Sequence, residues 1–211
     1  MTFATDRDLL ALEPTLFRDV AWAGQRLLST TGTLAAETGV LTIAADAEAV
    51  GIGAGHVAVI DGLPVEVLQR TSPTTLMVSL LRPRTDGPLI PPPALASRPV
   101  TVHTFAPQIA VVHAQLLRAI GVDASDPHAP QESDITNGAD LAHAEALGAL
   151  HLIYAAAAGM STSLSPHASK AAMYERRFRA ARARTPARLD LDHDGRGETL
   201  RHFNHYRLLR A

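Results

Sequence analysis

The chain has 211 residues, 46% of them apolar and 19% charged, with a net charge of −2 and a mean hydropathy of +0.06. Such a chain can build one substantial core, or one domain with a small satellite, and it is neither disordered nor a uniformly basic nucleic-acid coat. It holds no cysteine, which excludes disulfides, thiol catalysis and cysteine metal sites.

The opening MTFATDRDLL puts acids where a signal peptide carries a basic region, so no secretory leader is expected. Residues 6–28 read as helical, with Leu9, Leu10, Leu12, Leu16, Phe17, Val20 and Leu27 at roughly helical spacing. Pro14 fits a first helical position, so a turn at 7–12 precedes a helix over 13–28 that Thr30, Thr31 and Gly32 end.

Residues 33–105 change character. Val40–Ile43, His56–Ile60, Val65–Leu68, Leu76–Leu80 and Val100–Phe105 are short β-rich runs parted by Gly, Pro, Asp and Ser. They predict a small β-barrel or sandwich of SH3-like size, inserted between helices. Arg82–Pro99 contains Pro91, Pro92 and Pro93 and reads as an extended polyproline-like excursion. Gly51-Ile52-Gly53-Ala54-Gly55 is glycine-rich, but strand follows it where a phosphate-binding loop needs a helix. It reads as a barrel turn.

Helix returns over 107–120, with Pro107 at the first helical position, Ile109, Val112, Leu116 and Ile120 on one face, and Gly121 as the stop. A polar loop covers 122–136. Residues 138–158 predict a third helix, apolar nearly all round and so buried on several sides, with Gly148 and its alanines allowing close helix approach. The longest apolar run, Leu147–Met160, is too short to span a bilayer, so a soluble protein without a membrane partner is expected.

Ser165-Pro166 starts a helix that runs to about Arg184. Ala171, Tyr174, Phe178 and Ala181 form its apolar stripe, and Arg176, Arg177, Arg179 and Arg182 cover the rest. Arg188–Leu191 and Glu198–Leu209 predict a hairpin around Asp192-His193-Asp194-Gly195. The expected organisation is an N-terminal helical segment (1–32), the β-module (33–105), a helical domain (106–184) and a C-terminal hairpin arm (185–211). The fold class is α+β, a core of about four helices with an inserted barrel and a terminal hairpin.

No candidate chemistry is complete. Asp190, Asp192, Asp194, Gly195 and Glu198 match the first half of a calcium loop, but position 12 is Arg201 instead of a bidentate Glu, so the segment reads as an acidic turn. His202 and His205 face opposite sides of a strand, and His143 and His151 lie two helical turns apart, so neither pair chelates. The serines cluster at caps and turns, with no nucleophile elbow. No enzyme, cofactor or metal site is expected.

Charge is segregated along the chain. Residues 1–164 hold 8 basic and 16 acidic groups, net −8, while residues 165–211 hold 11 basic and 5 acidic groups, net +6. Such a chain suits head-to-tail self-association, or a basic segment on an acidic or phosphate-bearing partner. Arg176, Arg179, Arg182, Arg188, Arg207 and Arg210 are the candidate partner-binding residues.

The order of helix, small barrel, helix, buried Ala-rich helix, Arg-rich helix and acidic hairpin resembles the head–tail connector (adaptor) proteins of tailed bacteriophages. Tyr174-Glu175-Arg176-Arg177-Phe178-Arg179-Ala180-Ala181 and Arg188-Leu189-Asp190-Leu191-Asp192-His193-Asp194-Gly195 look like that family's basic last helix and hairpin, and Asp6–Leu28 looks like its opening segment. The resemblance implies a structural virion protein at the neck, assembled in the host cytoplasm. It implies a dodecameric ring whose C-terminal segment docks on the portal protein, with a tail-side neck or stopper protein below and DNA passing non-specifically through the lumen. The competing expectation is a non-enzymatic nucleic-acid-binding or regulatory protein with a basic C-terminal arm.

Overall fold

A computed structural model describes residues 2–123, 125–126, 128–160 and 166–203. The protein is α+β and divides into two compact units. Residues 5–106 form one, and the described residues of 1–4 and 107–211 form the other.

The first unit opens with α1 (Asp6–Leu12) and α2 (Leu16–Asp19), followed by a 3-10 turn over Ala21–Ala23. Thr5 caps α1, its N–H and hydroxyl both donating to the Asp8 carboxylate at 2.8 and 2.9 Å. The expected helix over 13–28 is not formed. Thr15 is the N-cap of α2, which leaves Pro14 outside the helix, and α-helix stops at Asp19 with the 3-10 turn beyond it. Gly24 then passes so close to Phe105 that a Cβ would lie 2.9 Å from its ring. Beyond it Ser29, Thr30, Thr31 and Thr33 favour a pleated strand, so Leu27 and Leu28 belong to β1 (Gln25–Leu34).

The remaining strands are β2 (Val40–Ile43), β3 (Val57–Ile60), β4 (Leu63–Ser72), β5 (Thr75–Ser79) and β6 (Leu95–Thr104). They close into a barrel in the order β1-β2-β5-β4-β3-β6, every pair antiparallel. Closure leaves no free edge in the barrel. The barrel therefore starts eight residues earlier than the expected Thr33 boundary and has six strands rather than five. Alternation points Leu34, Leu41, Ile43, Val65, Val67, Leu76, Val78, Val100 and Val102 into one fully buried cluster. Each such side chain contributes about 1.5–3 kcal/mol on burial.

The proline-rich stretch is irregular from Arg82 to Ala94, but β6 begins at Leu95, inside the expected excursion. Pro99 fits because it precedes Val100, where pairing with β3 starts, and because its carbonyl still accepts the Asp61 N–H at 2.9 Å. The glycine-rich loop is the expected barrel turn. Gly55 has φ +89°, donates to the Val67 carbonyl at 3.1 Å and accepts the Arg7 N–H at 2.9 Å.

The second unit contains α3 (Ala106–Ala119), α4 (Gly138–Gly159), α5 (Pro166–Arg184) and a hairpin of β7 (Ala187–Leu189) and β8 (Thr199–Arg201). Gly121, at φ +73°, ends α3 as expected. Three helices meet at Gly148 on α4, where a Cβ would stand 2.7 Å from Val112 of α3 and 3.0 Å from the Phe178 ring of α5. This is why α4 is apolar on several sides. It is long and apolar enough to cross a membrane by length and composition, yet 61% of that stretch is buried inside the protein. Ser165, His205 and the expected strand beyond residue 203 lie outside the described residues.

Candidate functional site

The basic helix α5 sorts its arginines by neighbour. Tyr174 and Phe178 are buried on the face turned to α4, and Tyr174 stacks on Tyr154 at 5.7 Å. Arg176, Arg177 and Arg184 are exposed on the rest of the helix. Arg179 is 73% exposed and pairs with Glu175 one turn earlier.

Arg182 departs from the outward position expected of it. Its guanidinium lies 5.3 Å from the Phe178 ring and 5.9 Å from the Phe203 ring, and Nη2 donates to the Phe203 carbonyl at 3.3 Å. A planar, weakly hydrated cation stacks readily between two rings. Arg182 thus holds the segment after β8 against α5 and is not offered to a partner.

Arg188 is exposed on β7, while its backbone accepts from Thr136 and donates to Asn137 Oδ1 at 2.8 Å. Arg207 and Arg210 lie outside the described residues. Of the six arginines singled out by sequence, Arg176, Arg179 and Arg188 are described and open to solvent.

Between β7 and β8 the acidic turn gathers carboxylates. One oxygen each from Asp190, Asp192, Asp194 and Glu198 lie within 4.8 Å of one another. Asp190, nearly buried, accepts the N–H groups of Asp194 at 3.1 Å and Gly195 at 2.8 Å. Burial pushes the Asp190 carboxyl up, but these donors outweigh it and hold it below the usual range. Glu198 moves the other way. Its own backbone N–H lowers it, but desolvation and the neighbouring Asp194 and Asp192 charges prevail and raise it.

The four acids are the chemistry that a hard divalent cation prefers. Arg201, at the position of the missing bidentate Glu, instead donates to the Ile120 carbonyl at 2.9 Å and closes the end of α3. One backbone N–H reaches each Asp190 oxygen, which leaves further lone pairs on both.

Two buried charge clusters escaped the sequence. In the barrel unit, Glu66 is 1% exposed between Arg7 and Arg82, whose Nε atoms lie 2.8 and 2.6 Å away. Arg7 also donates to the Arg82 carbonyl at 2.7 Å, and Arg82 to the Gly87 carbonyl at 2.8 Å. The cluster ties α1 and the irregular 82–87 stretch to β4.

In the helical unit, His113 of α3 and Glu145 of α4 form a buried pair, with Nδ1 2.9 Å from Oε1. Glu145 raises the His113 pKa, burial opposes it, and Glu132, 3.4 Å from Nε2, adds to the rise. Their charged partners lie 16 to 59 residues apart, and no local spacing announces them. Comparison with family models, with curated proteins and with solved structures gives no match to this chain.

Proposed function

We propose that the chain is a non-catalytic virion assembly module: a head–tail adaptor of a tailed bacteriophage that forms a ring between portal and tail. The observation that carries this reading is the exposed arginine row Arg176, Arg177, Arg179 and Arg184 on α5, within a segment of opposite net charge to the rest of the chain. Segregated charge steers encounter and fixes orientation between protein surfaces. The acidic turn supplies a complementary surface on the same chain, which suits head-to-tail contact between copies.

Other features agree. The order of a closed barrel, an apolar helix, a basic helix and an acidic hairpin accords with the resemblance noted above. Among the described residues β8 pairs on one side only, with Leu200 exposed, so its edge could extend a partner sheet. The buried charged groups hold the fold together: Glu66 joins two arginines, and Glu145 joins His113. On this reading the partners are further copies in a dodecameric ring, the portal protein and a tail-side neck or stopper protein. DNA passes non-specifically through the lumen, the mature location is the virion neck, and assembly occurs in the host cytoplasm.

Mass photometry at low and high salt, with negative-stain imaging of the same samples, tests the proposal. Large discrete species with ring views at low salt are expected. A single small species at every salt concentration would refute it. The exposed arginine row favours one alternative, a nucleic-acid-binding protein with a basic arm. That protein would remain small and would bind duplex DNA with an affinity falling steeply as salt rises.

A further inference from the structure

We infer that the buried His113–Glu145 pair is a latch that fastens residues 2–4 onto α3 and α4, and that loss of the imidazole proton releases them. Glu145 is wholly buried, and each of its oxygens has one described neighbour. Oε2 accepts the Ala4 N–H at 2.6 Å, and Oε1 faces His113 Nδ1 at 2.9 Å. Nδ1 meets Oε1 outside hydrogen-bond geometry, so this contact acts chiefly as charge pairing.

The segment itself adds a ring. Phe3 sits edge-on to the His113 imidazole at 4.6 Å. It also leans on the first residue of α4, Gly138, where a Cβ would be 3.0 Å from Phe3 Cδ1. Ala4 is buried, and α1 begins at Asp6 with Thr5 as its own cap. Residues 2–4 can therefore lift while α1 stays intact.

The charges facing His113 are Glu145 from α4 and Glu132 from the 3-10 turn at Glu132–Asp134. Glu132 is raised by burial but lowered overall, with His113 among the causes. An imidazolium there has a carboxylate at each nitrogen. Neutral imidazole leaves Glu145 as a buried anion answered, among the described residues, by the Ala4 N–H alone. A buried charge stripped of its partner is strongly destabilising, and water is the cheapest replacement. The three-residue stretch is the element over Glu145 that can move at least cost.

His113 titrates above its usual value, so the latch is complete below about pH 6.5 and fails as pH rises through the raised folded-state value.

NMR on the full chain tests this through amide exchange at Ala4, corrected for intrinsic rate, and the imidazole nitrogens of His113. Between about pH 6 and about pH 9, Ala4 protection should fall about tenfold or more, with a midpoint matching the His113 titration. Glu145→Gln keeps an acceptor for Ala4 without the charge, and should abolish the pH dependence while leaving Ala4 protected. Should that variant fail to fold, Glu132→Gln serves instead, moving both midpoints down together. Unchanged wild-type protection across the range, or a variant keeping the wild-type pH dependence, would overturn the latch.

Discussion

Substitutions on α5 separate a surface that meets a partner from one that holds the fold. Arg176 and Arg179 are exposed, and the one described pairing between them is the Arg179–Glu175 contact. Replacing both with Glu removes an exposed i,i+4 pair worth about 0.3–0.5 kcal/mol and sets like charges one turn apart at similar cost. The total stays below about 1 kcal/mol, a shift of at most about 2–4 °C in melting temperature for a chain this size.

Arg182→Ala is different. It removes two guanidinium–ring contacts, about 0.5–1 kcal/mol each, and the hydrogen bond to the Phe203 carbonyl. It also removes a buried Nε that has no hydrogen-bond partner, which offsets part of the loss. About 1–2 kcal/mol remains, a fall of roughly 2–8 °C. Thermal unfolding by circular dichroism reads stability, and mass photometry at low salt reads assembly. Arg176→Glu with Arg179→Glu should weaken assembly and leave melting nearly unchanged, whereas Arg182→Ala should lower melting. A double variant that assembles like wild type at every salt concentration would make the row a solvated face. An Arg182→Ala protein that melts like wild type would refute the stacking argument.

Three further outcomes are expected. Glu66→Gln leaves Arg7 and Arg82 without their shared anion and should cost about 3–5 kcal/mol by denaturant titration, a loss below about 1 kcal/mol counting against a cooperative cluster. Gly148→Ala gains about 1 kcal/mol of helix propensity but forces a contact at 2.7 Å with Val112, so a net loss is expected. Adding Val112→Ala should cost less in that background than alone, and strict additivity would place the crossing elsewhere. Calcium or a chelator should leave the melting temperature unchanged, because Arg201 stands in place of the bidentate Glu and is engaged at the end of α3; a calcium-dependent rise of several degrees would show a bound ion.

Period and punctuation made much of the fold legible. The β-rich runs after Val40, the helix from Pro107 to Gly121, the buried α4 and the hairpin after Pro186 all follow from local spacing. The failure over 13–28 is equally local. Leu16, Phe17 and Val20 keep helical spacing, and Leu27 falls near enough to prolong it falsely. Past the 3-10 turn the chain also meets a tertiary demand, the close approach of Gly24 to Phe105, about eighty residues on. The Pro99 strand was hidden for a similar reason. A proline in a strand depends on where its neighbour's pairing begins, and that register is set between segments. The buried acids were out of reach for the same cause: Glu66 pairs across 59 residues with Arg7, and Glu145 receives Ala4 across 141.

The arginines show where composition stops being informative. Arg176, Arg179 and Arg182 look alike in sequence, each three residues from the last on a helix with a narrow apolar stripe. Three-residue steps advance a helix by less than a full turn, so the row drifts around the axis. Arg182 also lies four residues after buried Phe178, on the same face, and that places its guanidinium over the ring. Arg179, four residues after Glu175, finds a carboxylate in water instead. The same spacing rule that pairs side chains on a helix thus decides which cations remain for a partner. Arg177 is three residues after buried Tyr174 and stays exposed with its guanidinium 5.8 Å from that ring, so a basic residue four after a buried aromatic is better assigned to the fold, and one four after an exposed acid to the surface.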